Sequence, residues 1–248
     1  MKEGRLISFE GVDGAGKTTQ LDLLEDWLKS CNIPYIRTRE PGGTARGVEI
    51  RKILLTADDP KLKISPLAEV LLFQADRTRH FDKVVLPALE AGKLVITDRC
   101  FDASIAYQGY GRGVDIELIE YLSLLAMQGR IPDLTILFDL GSRKAHKRVG
   151  VSYRRIGVQL LLPFGVREER DRLDVETQDF HRRVRDGFRD LARTHAERIK
   201  KIDASFPIEQ IHQSIIDLIK PLLPTDTLTE NNYPCLFESN EENIEPIF

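Results

Sequence analysis

The chain has 248 residues, 42% of them hydrophobic and 30% charged, with a formal net charge of −3. This is the balance of an ordinary globular protein able to bury a full core, and it argues against a global basic field of the kind that holds nucleic acid or an anionic membrane. The charge is uneven, because residues 221–248 hold six acids and no lysine or arginine.

In chain order, "RLISFE" (5–10) reads as a buried strand and "KTTQLDLLEDWLKS" (17–30) as a helix with Leu21, Leu24 and Leu28 on one face. "PYIRTRE" (34–40) is the next strand. Residues 68–92 read as helical, with Pro87 marking a break or a fresh start. "KLVITDR" (93–99) is a strand, 115–129 a helix and "DLTILFDL" (133–140) a strand. The charged segment 174–198 reads as an exposed helix, "IKKIDAS" (199–205) as a last short strand and 208–220 as a final helix. Strands separated by helices of this length need crossover connections, which predicts an α/β fold: a parallel β-sheet flanked by helices on both faces. Residues 1–220 form the expected domain. Residues 221–248, where prolines and acids replace the periodic pattern, form an acidic tail.

Three widely spaced cysteines, Cys31, Cys100 and Cys235, lack any C-x-x-C pairing, so free thiols in a reducing cytoplasm are expected. The N-terminal residues run straight into a strand, without an apolar signal core. No uncharged run reaches the ~18–20 residues that span a bilayer, so no membrane partner is expected.

Between the first strand and first helix lies "GVDGAGKT" (11–18), which fits G-x-x-x-x-G-K-[ST] in the context that motif requires. Gly11, Gly14 and Gly16 allow backbone N–H groups to turn toward phosphate oxygens, with Ala15 between them and the helix N-terminus behind. Lys17 can reach the β- and γ-phosphates of ATP. Thr18, followed by Thr19, can offer a hydroxyl to Mg²⁺. The loop by itself specifies a nucleoside triphosphate and leaves the reaction open. Asp13, an acid in the middle of an anion-binding loop, needs its own explanation.

Further segments narrow the choice: "TREPGGT" (38–44), "LLFQADR" (71–77), "DRCFDASIAYQGYGRG" (98–113) and "IPDLTILFDL" (131–140). With the loop, and in this order, they resemble the bacterial thymidylate kinases over roughly residues 5–220. The resemblance implies a P-loop nucleoside monophosphate kinase fold, a homodimer, and Mg²⁺-dependent transfer of the ATP γ-phosphoryl group to dTMP. It also implies roles for single residues. Arg99, helped by Arg39, would hold the dTMP phosphate, and Asp98 would lie near the magnesium. Phe73 would stack on thymine, Arg77 would donate to a base carbonyl, and Ser104 and Gln108 would complete the hydrogen-bonding edge. Tyr107 would crowd the 2′ position of the sugar, and Asp13 would accept from the 3′-hydroxyl. An acid at that loop position goes with catalytic arginines supplied by a lid.

The lid is where the sequence departs from the family. "REERDRLD" (167–174) keeps the Arg-x₄-Arg spacing at Arg167 and Arg172, but Glu168, Arg170 and Asp174 replace the usual glycine, leucine and glutamate. Within a lid region of about 143–173, residues 149–166 are an insertion that the family pattern lacks, apolar in part. The insertion makes Arg154 and Arg155 alternatives to Arg167. Cys100 also stands where the family has an aromatic or histidine. Two other readings stay open: another deoxynucleotide or deoxynucleoside kinase of this fold, and a nucleotide-binding module that has lost catalysis.

Overall fold

The computed structural model describes residues 4–56, 63–140, 172–173 and 176–223. Among them, β1 (Arg5–Gly11), β2 (Tyr35–Arg39), β3 (Leu94–Asp98), β4 (Leu134–Asp139) and β5 (Ile199–Asp203) form one sheet in the order β2-β3-β1-β4-β5. Every pairing is parallel. The helices are α1 (Lys17–Ser30), α2 (Ala45–Leu55), α3 (Pro66–His80), α4 (Leu86–Glu90), α5 (Phe101–Ser104), α6 (Ile116–Ala126), α7 (Gln178–Thr194) and α8 (Ile208–Ile219). Two π-helical stretches, Phe81–Val85 and Ile105–Gly111, continue α3 and α5.

Successive strand residues point to opposite faces, and the core divides accordingly. Ile7, Phe9, Ile96, Ile136 and Phe138 pack with Leu21, Leu24 and Leu28 of α1 and with Ile211, Ile215 and Ile219 of α8. Leu6, Val95 and Leu137 face the other way, onto Val70 and Phe73 of α3, Ile119 of α6 and Val184, Phe188 and Leu191 of α7. Leu21, Leu24 and Leu28 are fully buried, each contributing about 1.5–3 kcal/mol by the usual transfer scale. The core extends to Leu223, just past the expected domain end.

Two helices escape the periodicity rule. In α2 only Gly47 and Leu54 are buried, so it carries no apolar stripe; its start is fixed by the Thr44 side chain, which accepts from Gly47 N–H. The stretch Ile105–Gly111 is buried almost all round, which erases any period. The break at Pro87 takes the form of the π-helical turn before it, with Pro87 in the first turn of α4. α7 is more than the expected exposed helix: its arginine face is outward, but Phe180, Val184, Phe188 and Leu191 are core. No helix among the described residues is long and apolar enough to cross a membrane.

Candidate active site

The parallel sheet brings β1, β2 and β3 to a common C-terminal edge, where open α/β sheets collect ligands. Strand register sets Asp98 beside Phe9 on one side and Arg39 on the other. Gly11, Gly14 and Gly16 all have positive φ (131°, 75° and 97°). At Gly11 a side chain would also strike the Phe138 backbone, so only glycine fits there. Ala15 is buried, while Thr18 and Thr19 are exposed in the first turn of α1. Lys17 folds back over the loop, its Nζ donating to Gly11 O (3.1 Å) and Val12 O (3.3 Å). Burial, and then the Arg99 charge, lower its pKa.

Arg99 follows β3 in the left-handed region (φ 69°), with its own N–H donating to Phe9 O. Its guanidinium donates to Gly11 O (3.1 Å), Asp13 Oδ1 (2.8 Å) and Tyr107 Oη (3.3 Å), and lies 5.0 Å from the Tyr107 ring centre. Burial opposes the Arg99 charge; Asp13, followed by Tyr107 and Asp98, outweighs it and holds the pKa well above the usual arginine value. Asp13 therefore faces two cations, Arg99 closely and Lys17 at 3.9 Å.

Asp98 Oδ1 is buried with no hydrogen-bond partner, and so is Glu10 Oε2. The other Glu10 oxygen accepts from Cys100 N–H at 2.7 Å. Burial first, then Asp102, push the Glu10 carboxyl well above the usual range. Arg39 makes no hydrogen bond or ion pair among the described residues. It stands half-buried at the end of β2.

A second cluster lies between α3 and the Ile105–Gly111 stretch. One face of α3 buries Glu69, Phe73, Asp76, Arg77 and His80, the i, i+4, i+7, i+8 and i+11 positions of a single stripe. Arg77 is 1% exposed and meets Ser104 Oγ at 3.0 Å through Nη2. Gln108 donates to Glu69 Oε1 at 2.6 Å, and Tyr107 packs edge-on against Phe180 and Phe188.

"REPGG" locks onto the same helix. Glu40 accepts from Arg77 Nε and His80 Nδ1, each at 2.9 Å. Gly42 N–H donates to both Asp76 oxygens at 3.2 Å. A side chain at Gly43 would collide with the His80 ring, and one at Gly47 with Asp76. Burial, and secondarily Glu40, push Asp76 up to about 6.

A family model for thymidylate kinase matches residues 9–215. The chain belongs to the thymidylate kinase family. It is 41% identical over 217 residues to the thymidylate kinase of Sulfurihydrogenibium sp. (strain YO3AOP1), covering 88% of this chain and 97% of that one. It is 42% identical over 219 residues to that of Carboxydothermus hydrogenoformans, covering 88% and 98%. The crystal structure of thymidylate kinase from Ehrlichia chaffeensis superposes with a TM-score of 0.66 at 33% identity, covering 88% of this chain and 99% of that one.

Among the lid residues expected for a thymidylate kinase, Arg167, the alternatives Arg154 and Arg155 and the 149–166 insertion lie outside the described residues. Arg172 is described. Its N–H and Nε donate to Leu55 O and Leu54 O at the end of α2, and its Nη2 meets Glu69 Oε2 at 2.6 Å. Glu69, fully buried, thus gathers Gln108, Arg172 and, at 3.4 Å, Arg112.

Five buried neighbours of the candidate site, Glu10, Glu40, Glu69, Asp76 and His80, are not singled out by the sequence pattern. Three of them share the helix stripe that carries Phe73 and Arg77. A buried acid at helical spacing from an arginine is the signal that could have found them.

Proposed function

We propose that the chain transfers the γ-phosphoryl group of ATP to dTMP, giving dTDP and ADP for dTTP synthesis. The observation that carries this reading is the 2.8 Å contact of Arg99 with Asp13, which joins the phosphate loop, through Tyr107, to the cluster that holds Ser104, Arg77 and Phe73. An ATPase needs only the loop; a kinase needs an acceptor site beside it.

The acceptor is a phosphate monoester whose second pKa near ~6 leaves it dianionic at neutral pH, so no catalytic base is required. What remains is to bring two polyanions together and to stabilise charge on the moving group. Gly11, Gly14, Ala15, Gly16, Lys17, Thr18 and Thr19 hold the ATP phosphates. Arg99 and the free cation of Arg39 hold the dTMP phosphate, and Asp13 takes the 3′-hydroxyl. Phe73 stacks on the base, Arg77, Ser104 and Gln108 line its polar edge, and Tyr107 favours deoxyribose. Arg167 is the lid arginine assigned to the transferred group. The ties of Arg172 to Glu69 and α2 favour anchoring for that residue.

Mg²⁺ fits the same edge. The unpartnered Asp98 oxygen and the exposed Thr18 hydroxyl are hard oxygen donors, and an ion with few protein ligands completes its shell with water and phosphate. When bound, it neutralises charge on the β- and γ-phosphate oxygens. The protein is cytoplasmic in this reading, with no nucleic-acid partner. It works as a homodimer through an apolar face formed by Leu67 and Leu71 of α3 and Leu118, Tyr121 and Leu125 of α6, all more than a third exposed.

A coupled ADP-release assay with ATP·Mg²⁺ and dTMP, dUMP, dCMP, AMP and thymidine tests the proposal. Turnover should be best with dTMP. Turnover best with thymidine, or absent throughout, would overturn it.

A further inference from the structure

We infer that Glu40 is a positioning residue for acceptor-base selectivity: it takes Arg77 by Nε alone and so leaves one guanidinium N–H, beside Ser104, for a carbonyl on the base. The inference deepens the proposed function and rests on the reading that the Phe73, Arg77 and Ser104 cluster takes the acceptor base.

A guanidinium has five N–H donors in a rigid plane. In Arg77, Nε donates to Glu40 Oε2 (2.9 Å), Nη1 to Gln74 Oε1 (2.7 Å) and Ser123 Oγ (3.3 Å), and Nη2 to Ser104 Oγ (3.0 Å). Four donors are thereby assigned, and one hydrogen on Nη2 remains. The group is buried, so water does not readily satisfy it, and an unmatched buried donor is costly. A ligand carbonyl satisfies it. An amino group at the same place would set N–H against N–H.

The contrast with Arg198 shows what Glu40 contributes. Asp102 grips Arg198 through both Nη atoms, at 2.7 and 2.9 Å, and Thr135 lies 2.8 Å from Nη1, so that fork is engaged within the protein. Glu40 instead holds Arg77 from the Nε side and leaves the second Nη2 hydrogen, on the Ser104 side, unassigned. Glu40 is itself held fast: its N–H donates to Asp98 O at 2.9 Å, and its Oε1 accepts from His80 Nδ1. The carboxylate can only accept, which places the imidazole proton on Nδ1 and lets Nε2 accept from the Thr38 hydroxyl at 2.7 Å. A continuous chain, Thr38–His80–Glu40–Arg77–Ser104, thus runs from β2 to the end of α5. Burial opposes ionisation of Glu40, but Arg77 and then His80 overcome it, so the carboxyl stays below its usual range.

The test is steady-state kinetics of Glu40→Gln with dTMP, dUMP and dCMP as acceptors, beside a thermal melt. The expected result is a rise on the order of tenfold in KM for dTMP and for dUMP, which shares the carbonyl. The dTMP-over-dCMP ratio of kcat/KM should fall by a similar factor, while KM for ATP stays within about twofold. A variant that folds but keeps its base discrimination, or loses ATP and dTMP use equally, overturns the inference. Should Glu40→Gln not fold, the His80 pair decides. His80→Asn can still donate to Glu40 and should keep discrimination; His80→Phe, which retains ring volume without the donor, should lose it. Equal discrimination in the two His80 variants overturns the inference. A wild-type enzyme that does not prefer dTMP to dCMP overturns the proposed function itself, a result distinct from normal selectivity that survives in the variants.

Discussion

The Arg99 guanidinium stands 2.8 Å from the Asp13 carboxylate, so the residue after β3 and the third residue of the phosphate loop form one unit. Under the proposed function, an acceptor phosphate would compete with Asp13 for Arg99.

Removing that cation should be severe. Arg99→Ala is expected to lower kcat/KM for dTMP by at least about a hundredfold, roughly 3 kcal/mol, as loss of a preorganised charge partner does. Steady-state kinetics on a variant with an unchanged melting temperature gives the answer. A loss under tenfold would move the acceptor phosphate elsewhere.

Asp13→Ala should separate the two substrates. Lys17 is hydrogen-bonded to Gly11 O and Val12 O and lies 3.9 Å from Asp13, so its position should outlast the loss of the carboxylate. Calorimetric titration should show dTMP binding weakened by about tenfold and a non-hydrolysable ATP analogue within about twofold of wild type. Equal weakening of both would make Asp13 a structural member of the loop.

These two residues were legible in the sequence because their signal is local: a glycine-spaced loop and a strand-end Asp–Arg. The sheet was legible for the same reason, since β1, β3 and β4 are near-continuous apolar runs. What was hidden depends on contacts distant in sequence. Glu40 and His80 are 40 residues apart, and Glu69 and Arg172 are 103 apart. No period or motif joins them. α2 is not legible because its helix is held by a cap and by the close packing of Gly47, with almost no apolar stripe. The inner face of α7 was obscured by its arginines, although Phe180, Val184, Phe188 and Leu191 do follow helical spacing.

Arg172 offers a direct test of the lid. Its backbone N–H, Nε and Nη2 are held by Leu55 O, Leu54 O and Glu69. Arg172→Ala would leave a fully buried carboxylate with one cation fewer, so the melting temperature should fall by several degrees. At a temperature where the variant is folded, kcat should remain within about tenfold of wild type. A hundredfold fall in kcat with unchanged stability would return Arg172 to the transferred phosphoryl group.

Asp76 should make stability depend on pH in a defined window. Its carboxyl is pushed up to about 6 from an ordinary 3.8, by burial first and Glu40 second. The folded state then holds the proton more tightly than the unfolded state. Stability from this group is present below about 4 and is lost as pH rises through 6, a change of about 3 kcal/mol. Asp76→Asn keeps an acceptor for Gly42 N–H and does not titrate. Denaturant unfolding of both proteins should show the variant gaining on wild type between pH 4 and 7. A difference that stays flat with pH would mean that Asp76 is ionised throughout.

The exposed face of α3 and α6 makes the last prediction. Tyr121 and Leu125 are each 66% exposed, Leu71 is 50% exposed, and the two helices are joined beneath them by Gln74 donating to Ser123. Exposed apolar side chains grouped on neighbouring helices mark an interaction site, and the proposed second copy would cover them with the same residues, because a two-fold interface is self-complementary. Leu125→Glu places a charge in each half of that contact, where burying it without a partner costs several kcal/mol. Sedimentation velocity should show wild type as a dimer and the variant shifted to monomer. The change lies outside the Arg99, Lys17 and Arg77 clusters, so the monomer should keep its dTMP binding. A wild-type chain that sediments as a monomer at micromolar concentration would remove the homodimer from the proposal.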